Sequence, residues 1–387
     1  MSRCVQLPPI QSLGDSSLQE LVDYYDKNVA PIMVWIDTED NLYRNHVLPL
    51  AHINPAVRLA VAAVAAQHAA MFRGEPDVPE DIRNEAVSMI TRYVSDVTEQ
   101  VANGCDIGQG LDTNAAEWIL ASMLVLSCYE MARSGAQAAD FHRKAARSLV
   151  NTLAGTECRK STLFISLQNM LSTYDIFAST TSFDLPSIQD AILPQHHHDS
   201  IPNETVLFSD YLHLLHEVTL LSRQGHGTND TSRDWRAEFE LARGTTLMVA
   251  GRLAISSARQ RRDLIRLIDI HHNAALLYVA RCLGHGMGHE SPVALSDLKR
   301  ELLALENIYQ WIQNLPWPIF IAGVESYGDI ESQAIVFELY KVVVEATKLK
   351  QYCQVLDFLN EFWSGNEPNW QILAREWEEQ GHRILAY

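Results

Sequence analysis

The stretch PAVRLAVAAVAAQHAAMF, residues 55–72, constrains this chain more than any other. Its apolar residues run nearly all round a helical projection instead of along one stripe, the pattern of a helix buried on every side. It is rich in alanine rather than leucine, and Arg58 and Gln67–His68 interrupt it. A bilayer-spanning helix needs about twenty strongly apolar residues. The stretch therefore reads as a core helix, and the rest of the chain must build the shell around it. A second stretch, NAAEWILASMLVLSCYEMA, has the same character, with Asp112 to Asn114 available to cap its start.

The shell is helical as well. DSSLQELVDYYDKNVAPIM opens on Asp15 and Ser16 as N-caps and stops at Pro31. Residues 79–103 read as an amphipathic helix ended by Asn103–Gly104. QAADFHRKAARSLVNTLAG places Phe141, Ala145, Leu149 and Leu153 on one helical face. Helical patterns continue through STLFISLQNMLSTYDIFAST, VLFSDYLHLLHEVTLLSR, RDLIRLIDIHHNAALLYVARCLG and SPVALSDLKRELLALENIYQWIQN to the C-terminal segments. Residues 181–204, with Pro186, Pro194, Pro202 and HHHD, form the clearest irregular segment, and GHGTNDTSRD is a polar loop. No alternating pattern persists beyond a few residues, and no repeat of fixed period is present. A length of 387 residues gives a prior of roughly two to three domains. The helices at both ends are too apolar for separate solvated bundles, however. The expectation is one all-α domain over residues 18–387 after an extension at 1–17.

Charge narrows the function classes. A net charge of −18 works against holding a phosphate backbone, since such binding relies on Lys and Arg displacing counterions. Arg259, Arg261, Arg262 and Arg266 form a local basic patch that reads as a solvated helix face. The expectation is no direct nucleic-acid binding by this chain. Of the cysteines, Cys4, Cys105, Cys128, Cys158, Cys282 and Cys353, none forms a C-x-x-C pair. Cys128 reads as a small buried hydrophobe. The opening MSRCVQLPPIQSLGD has no apolar core of signal-peptide length, so the expected compartment is intracellular and reducing. The sequons at Asn203 and Asn229 then carry no glycosylation meaning.

Several segments together resemble a known family. LVDYYDKNVAPIMVWIDTEDNLYRNHVLPLAHINPAVRLAVAAVAAQHAAM is similar to the opening of the fungal-specific transcription factor domain. ILASMLVLSCYEMARSG, FHRKAARSLV and LQNMLSTYDIFAS resemble its middle, and WPIFIAGVES, DIESQAIVFEL and VLDFLNEFW its C-terminal part, in the same order. The resemblance runs from about residue 18 to about 380. It implies the all-helical effector domain that normally follows a Zn2Cys6 DNA-binding cluster. In that frame WPIFIAGVES looks like a tight connection inside the core: Pro316 and Pro318 stop one helix, and Gly323 permits a close turn. The chain departs from the family pattern in its cysteines, which lie too far apart in sequence for that cluster. Three readings follow: an upstream DNA-binding segment belongs with the chain, the chain works only through a partner, or the helical domain has been recruited to bind or transform a small molecule.

Chemical motifs are few. HHHD, His196 to Asp199, sits in a Pro-rich loop without helical ligand spacing. In HGMGHE, His285 and His289 stand at i, i+4 beside Glu290, but glycines at 284, 286 and 288 oppose a helix there. H-E-x-x-H, G-x-S-x-G and Gly-rich phosphate loops are missing. The expectation is therefore no metal and no cofactor. Asp175 falls in an apolar helix, where a carboxylate must be paired or hydrogen-bonded, and reads as part of a core polar network. His68, His271 and His272 lie on apolar helices, each read first as a satisfied core histidine.

The leading functional expectation is a member recruited to fungal secondary metabolism. It would hold a hydrophobic polyketide or terpenoid in an internal apolar cavity and promote its cyclisation, a Diels–Alder-type reaction for example, by shape and hydrogen bonding. Such chemistry needs no nucleophile, and its catalytic candidates are His68, Tyr25 and His272. Tyr24, Trp35, Trp118, Tyr174 and Tyr278 are the ligand-binding candidates. A hydrophobic small molecule and a second copy of the chain are the expected partners, with no membrane. The location would be cytoplasmic. The alternative is a transcriptional regulator, which would be nuclear.

Overall fold

The structure is a computed structural model that describes residues 15–78, 80–103, 112–133, 136–154, 156–195, 203–225, 233–284 and 291–387. Cys4, Cys105, HHHD at 196–199, Asn229 and the His285, His289, Glu290 set lie outside the described residues. Among the described residues the regular elements are helices and none is a strand, so the protein is all-α. In chain order the first are α1 (Asp15–Asn28), α2 (Leu48–Ile53), α3 (Pro55–Arg73), α4 (Asp81–Ala102), α5 (Thr113–Ala132) and α6 (Ala136–Thr152). Then come α7 (Thr162–Thr180), α8 (Leu185–Gln189), α9 (Asn203–Val206), α10 (Ser209–Arg223), α11 (Trp235–Ala250) and α12 (Ala258–Leu283). The last are α13 (Ser291–Ala304), α14 (Ile308–Trp311), α15 (Pro316–Glu325), α16 (Ile330–Thr347), α17 (Gln351–Ser364) and α18 (Trp370–Glu379). The segment at 181–204, expected to be irregular, holds the short helix α8, started by Asp184 and Pro186.

Contacts divide the chain into two compact units. The first comprises Met1–Met33, Glu39–Arg133 and Ala138–Leu167; the second comprises Val34–Thr38, Ser134–Gln137 and Gln168–Tyr387.

In the first unit α3 is the hub, packed by α1, α2, α4 and α5. Its start follows from its sequence: extended Asn54 accepts hydrogen bonds from the N–H groups of Ala56 and Val57, and Pro55 stands in the first turn, where no N–H donor is needed. Gly74, at φ 67°, closes it in the left-handed conformation that glycine adopts without penalty. Every residue from Ala60 to Ala70 is buried, and alanine lets neighbouring helices come close. Buried Gln67 is satisfied, donating to Asp77 at 2.7 Å and accepting from the Val78 N–H at 3.0 Å. Both α3 and α5 are long and apolar enough to cross a bilayer, and the protein buries 72% and 89% of their apolar windows. On α6 the expected face is corrected. Ala139, Ala146, Val150 and Leu153 are buried, while Phe141 is 68% exposed. Arg143 and Arg147 share the buried face, and Asp140 pairs with Arg143.

In the second unit the hubs are α12 and α15. WPIFIAGVES is not a connection: Pro316–Glu325 is a helix, buried from Pro316 to Val324. Both prolines fall in the first turn, whose N–H groups have no partner inside the helix, so they start it instead of stopping one. Gly323 serves packing and not a turn. A Cβ there would come within 3.0 Å of both Leu359 methyl carbons and 3.1 Å of Val336. The Trp363 indole donates to the Gly323 carbonyl at 2.9 Å through the same gap. Asp175, fully buried, accepts from the Ile192 N–H at 3.1 Å and so ties α7 to the segment after α8.

Candidate functional site

Three helices of the second unit enclose a cleft of about 440 Å³. Each contributes one helical face. Asp269, His272, Asn273 and Leu276 come from α12, Arg236, Glu240 and Arg243 from α11, and Val293, Ala294, Asp297, Arg300 and Glu301 from α13. Spacings of three and four residues align such side chains on one side of a helix. Asp234 fixes the start of α11 by accepting from the Ala237 N–H.

His272 forms the base of the cleft. Its Nδ1 lies 3.1 Å from the Tyr211 hydroxyl, and its Nε2 lies 3.2 Å from Glu240 Oε1. Burial lowers the His272 pKa, Glu240 partly opposes this, and Arg243 reinforces it. The ring is thus held neutral, with one nitrogen donating and the other accepting. A carboxylate only accepts, so Nε2–H donates to Glu240 and Nδ1 accepts from the Tyr211 O–H. Tyr211 is 2% exposed, and its burial raises its pKa. Its hydroxyl is therefore a fixed donor to His272, out of reach of a ligand. Around this base Arg243 donates to Asp269 at 2.7 Å, Asn273 donates to the Asp269 carbonyl at 2.8 Å, and Arg300 holds Glu301 at 3.0 Å and Asp297. The walls are charged, with apolar relief from Leu276, Val293 and Ala294.

Consecutive histidines on a helix point about 100° apart. His271 faces an aromatic cluster instead of the cleft, with Trp35, Phe177, Phe208 and Trp317 around it. Its Nε2 meets the Asn314 carbonyl at 3.1 Å, and complete burial pushes its pKa down to about 3. Trp35 packs closest on Phe208, with ring centroids 4.4 Å apart and planes tilted by 33°. Tyr278, fully buried, meets Thr219 Oγ1 at 2.9 Å and donates to the Thr180 carbonyl at 3.2 Å. Tyr174 stacks on Tyr387 at 5.5 Å.

The remaining candidates belong to the first unit. Tyr25 is fully buried, and Trp118 packs edge-on against Tyr93 at 5.2 Å. The Tyr24 hydroxyl lies 3.1 Å from His68 Nδ1, and the His68 ring stands 4.8 Å from Phe72. The candidates therefore divide between two units, and of the eight only His272 lines the cleft. Sequence reasoning passed over Tyr211, Glu240, Arg243 and Arg300. For Glu240 and Arg243 the signal was the charge at i, i+4 and i+7 in WRAEFELARG, a pattern shared with any solvated helix face, and Tyr211 and Arg300 lie on other helices.

Two other expectations can be placed. The basic patch on α12 is a structural lock: Glu306 accepts from Arg262 at 2.7 Å and Arg266 at 3.3 Å, and hydrogen bonds from Arg262 hold its pKa at about 2. Buried Asp263 accepts from the N–H groups of Glu306 and Asn307. Cys128 is buried, and that burial pushes its thiol up to about 12. Among the described residues no group of three His, Cys, Asp or Glu side chains is arranged to hold a metal ion.

The sequence model of the fungal specific transcription factor domain matches residues 20–381, so the chain belongs to that family. No curated protein and no solved structure matched the chain.

Proposed function

We propose that this member of the fungal-specific transcription factor domain family is a regulatory effector domain acting in the nucleus. DNA contact would come from a zinc-cluster segment or a partner protein. The observation that carries this reading is the reach of the family match, which covers residues 20–381 and so takes in both units. The cleft adds support: its walls are charged, as suits a site that senses or docks, and not the apolar chamber that a hydrophobic cyclisation needs. Arg259, Arg262 and Arg266 on α12 are engaged by Glu306, and Arg266 also by Asp263, which fits a domain that leaves phosphate contacts to another module. The test is tethering. The full chain fused to a heterologous DNA-binding head should change output from a matching reporter relative to the head alone. An expressed, nuclear fusion with unchanged output at both an activatable and a repressible promoter would defeat the reading.

A second reading, a cofactor-independent cyclase acting on a polyketide or terpenoid, keeps one observation in its favour. The Tyr24–His68 pair beside half-exposed Phe72 sets a hydrogen-bonding group against an aromatic surface. That reading requires product formation from a linear precursor to fall about 10²–10³-fold in His68→Ala, the scale of losing one oriented donor. Equal turnover in the variant would remove it.

A further inference from the structure

We infer that the α11–α12–α13 cleft binds a free α-amino acid through its ammonium and carboxylate together. Four features lead there. First, the walls carry three guanidinium groups, on Arg236, Arg243 and Arg300, and four carboxylates, on Glu240, Asp269, Asp297 and Glu301. A phosphate ester would meet four like charges, and a bare cation would meet three, whereas a zwitterion finds a partner for each of its ends. Second, opposite charges stand one turn apart on α11 as a wide ion pair that is not hydrogen-bonded. Arg243 Nη1 lies 3.8 Å from Glu240 Oε2, outside hydrogen-bond range. An α-amino acid, whose charged groups sit on one carbon, lies antiparallel across such a pair, its carboxylate on Arg243 and its ammonium on Glu240.

Third, both protein groups are already held by neighbouring side chains. Glu240 Oε1 accepts from His272, which Tyr211 fixes in turn, and Arg243 is anchored on Asp269. Little ordering is left to be lost on binding, which favours a small ligand. Fourth, Leu276, Val293 and Ala294 line the cleft as an apolar strip for the ligand's side chain, and about 440 Å³ is room for a molecule of that size. Binding here is measurable whether or not the domain regulates transcription, so its failure and that of the regulatory reading are seen in different experiments.

The experiment takes the full chain through thermal shift and titration calorimetry with the twenty free L-amino acids. N-acetyl and carboxamide derivatives of any that bind serve as single-charge controls. At least one amino acid should raise Tm saturably, and both derivatives should bind at least about tenfold more weakly, since each strips one charge-assisted contact. Glu240→Gln, on a side chain 46% exposed, should weaken binding to a similar degree and leave the unliganded fold intact. These wild-type controls decide the matter even where a variant fails to fold. No Tm change with any of the twenty at about 10 mM, roughly tenfold above a millimolar Kd, overturns the proposal. So does a derivative that binds as tightly as its parent.

Discussion

In the first unit, α3 is surrounded: Ala60 through Ala70 are all buried, and its two polar residues there, Gln67 and His68, are spoken for by Asp77, Val78 and Tyr24. In the second, α12 is enclosed on the side of Leu264, Leu267, His271 and Tyr278 but gives Asp269, Asn273 and part of His272 to a charged cleft. Both are long central helices, yet a helix closed on every side along its middle serves first to hold a fold. One left open along a single face can also present groups whose positions its buried face has fixed. The contrast between His271 and His272, neighbours in sequence, compresses the same lesson into two residues.

The largest expected effect tests the closed side. His271→Ala empties a ring-sized space among Trp35, Phe208 and Trp317 and should cost about 3 kcal/mol, the scale of truncating a buried ring. Urea unfolding measures it. A loss comparable to that of an exposed substitution would show that the aromatic cluster is not a close-packed core.

Nearly as large is the acid response. Complete burial depresses the His271 pKa to about 3, against an ordinary value near 6.5. Above about pH 6.5 the ring is neutral in both folded and unfolded chains and contributes no pH dependence. As pH falls below that, the unfolded chain takes up a proton that the folded one refuses, so stability declines until the folded pKa is reached. The slope is at most about 1.4 kcal/mol per pH unit from this residue. His271→Phe should therefore flatten the fall in Tm between pH 6 and pH 4, and an unchanged slope would assign the acid sensitivity to other groups.

Crowding α3 comes next. Ala65→Leu adds methylenes to a helix packed on every side and should destabilise by about 1–3 kcal/mol, read as a fall in the denaturation midpoint. A neutral result would mean that α3 has slack around it, and the contrast with α12 would weaken.

How much of this was legible beforehand depended on whether burial was written in composition. The α3 and α5 segments announce themselves, because an apolar residue at every angle must be shielded from water on every side. Pro316 and Pro318 misled because a proline marks a helix boundary without saying which side the helix lies on; the structure puts it after them. On α6 the apolar pattern pointed to Phe141, whereas Arg143 and Arg147 occupy the buried face, and no periodicity argument places arginine inside. Asp175 was legible because a carboxylate in an apolar helix must find a donor, and Ile192 supplies it. The cleft was the least legible. Its charges are ordinary one helix at a time and become a site only when three helices bring them together.

The smallest expected effect is the sharpest test of the open face. Arg300, on α13 at the cleft, has a side chain 63% exposed, and its partners Asp297 and Glu301 lie on the same helix. Exposed pairs of this kind are loosely held and screened by salt, so they add little to folding. Arg300→Gln should leave the thermal midpoint of the unliganded chain unmoved at moderate ionic strength. Any amino acid found to bind the cleft should nevertheless bind the variant more weakly, because the wall it meets has lost a cation. A residue that changes binding and not stability is what an open helix face predicts and a sealed one forbids. If Arg300→Gln instead lowered the midpoint as far as Ala65→Leu does, the cleft would belong to the load-carrying packing of its unit, and α12 would be a second α3.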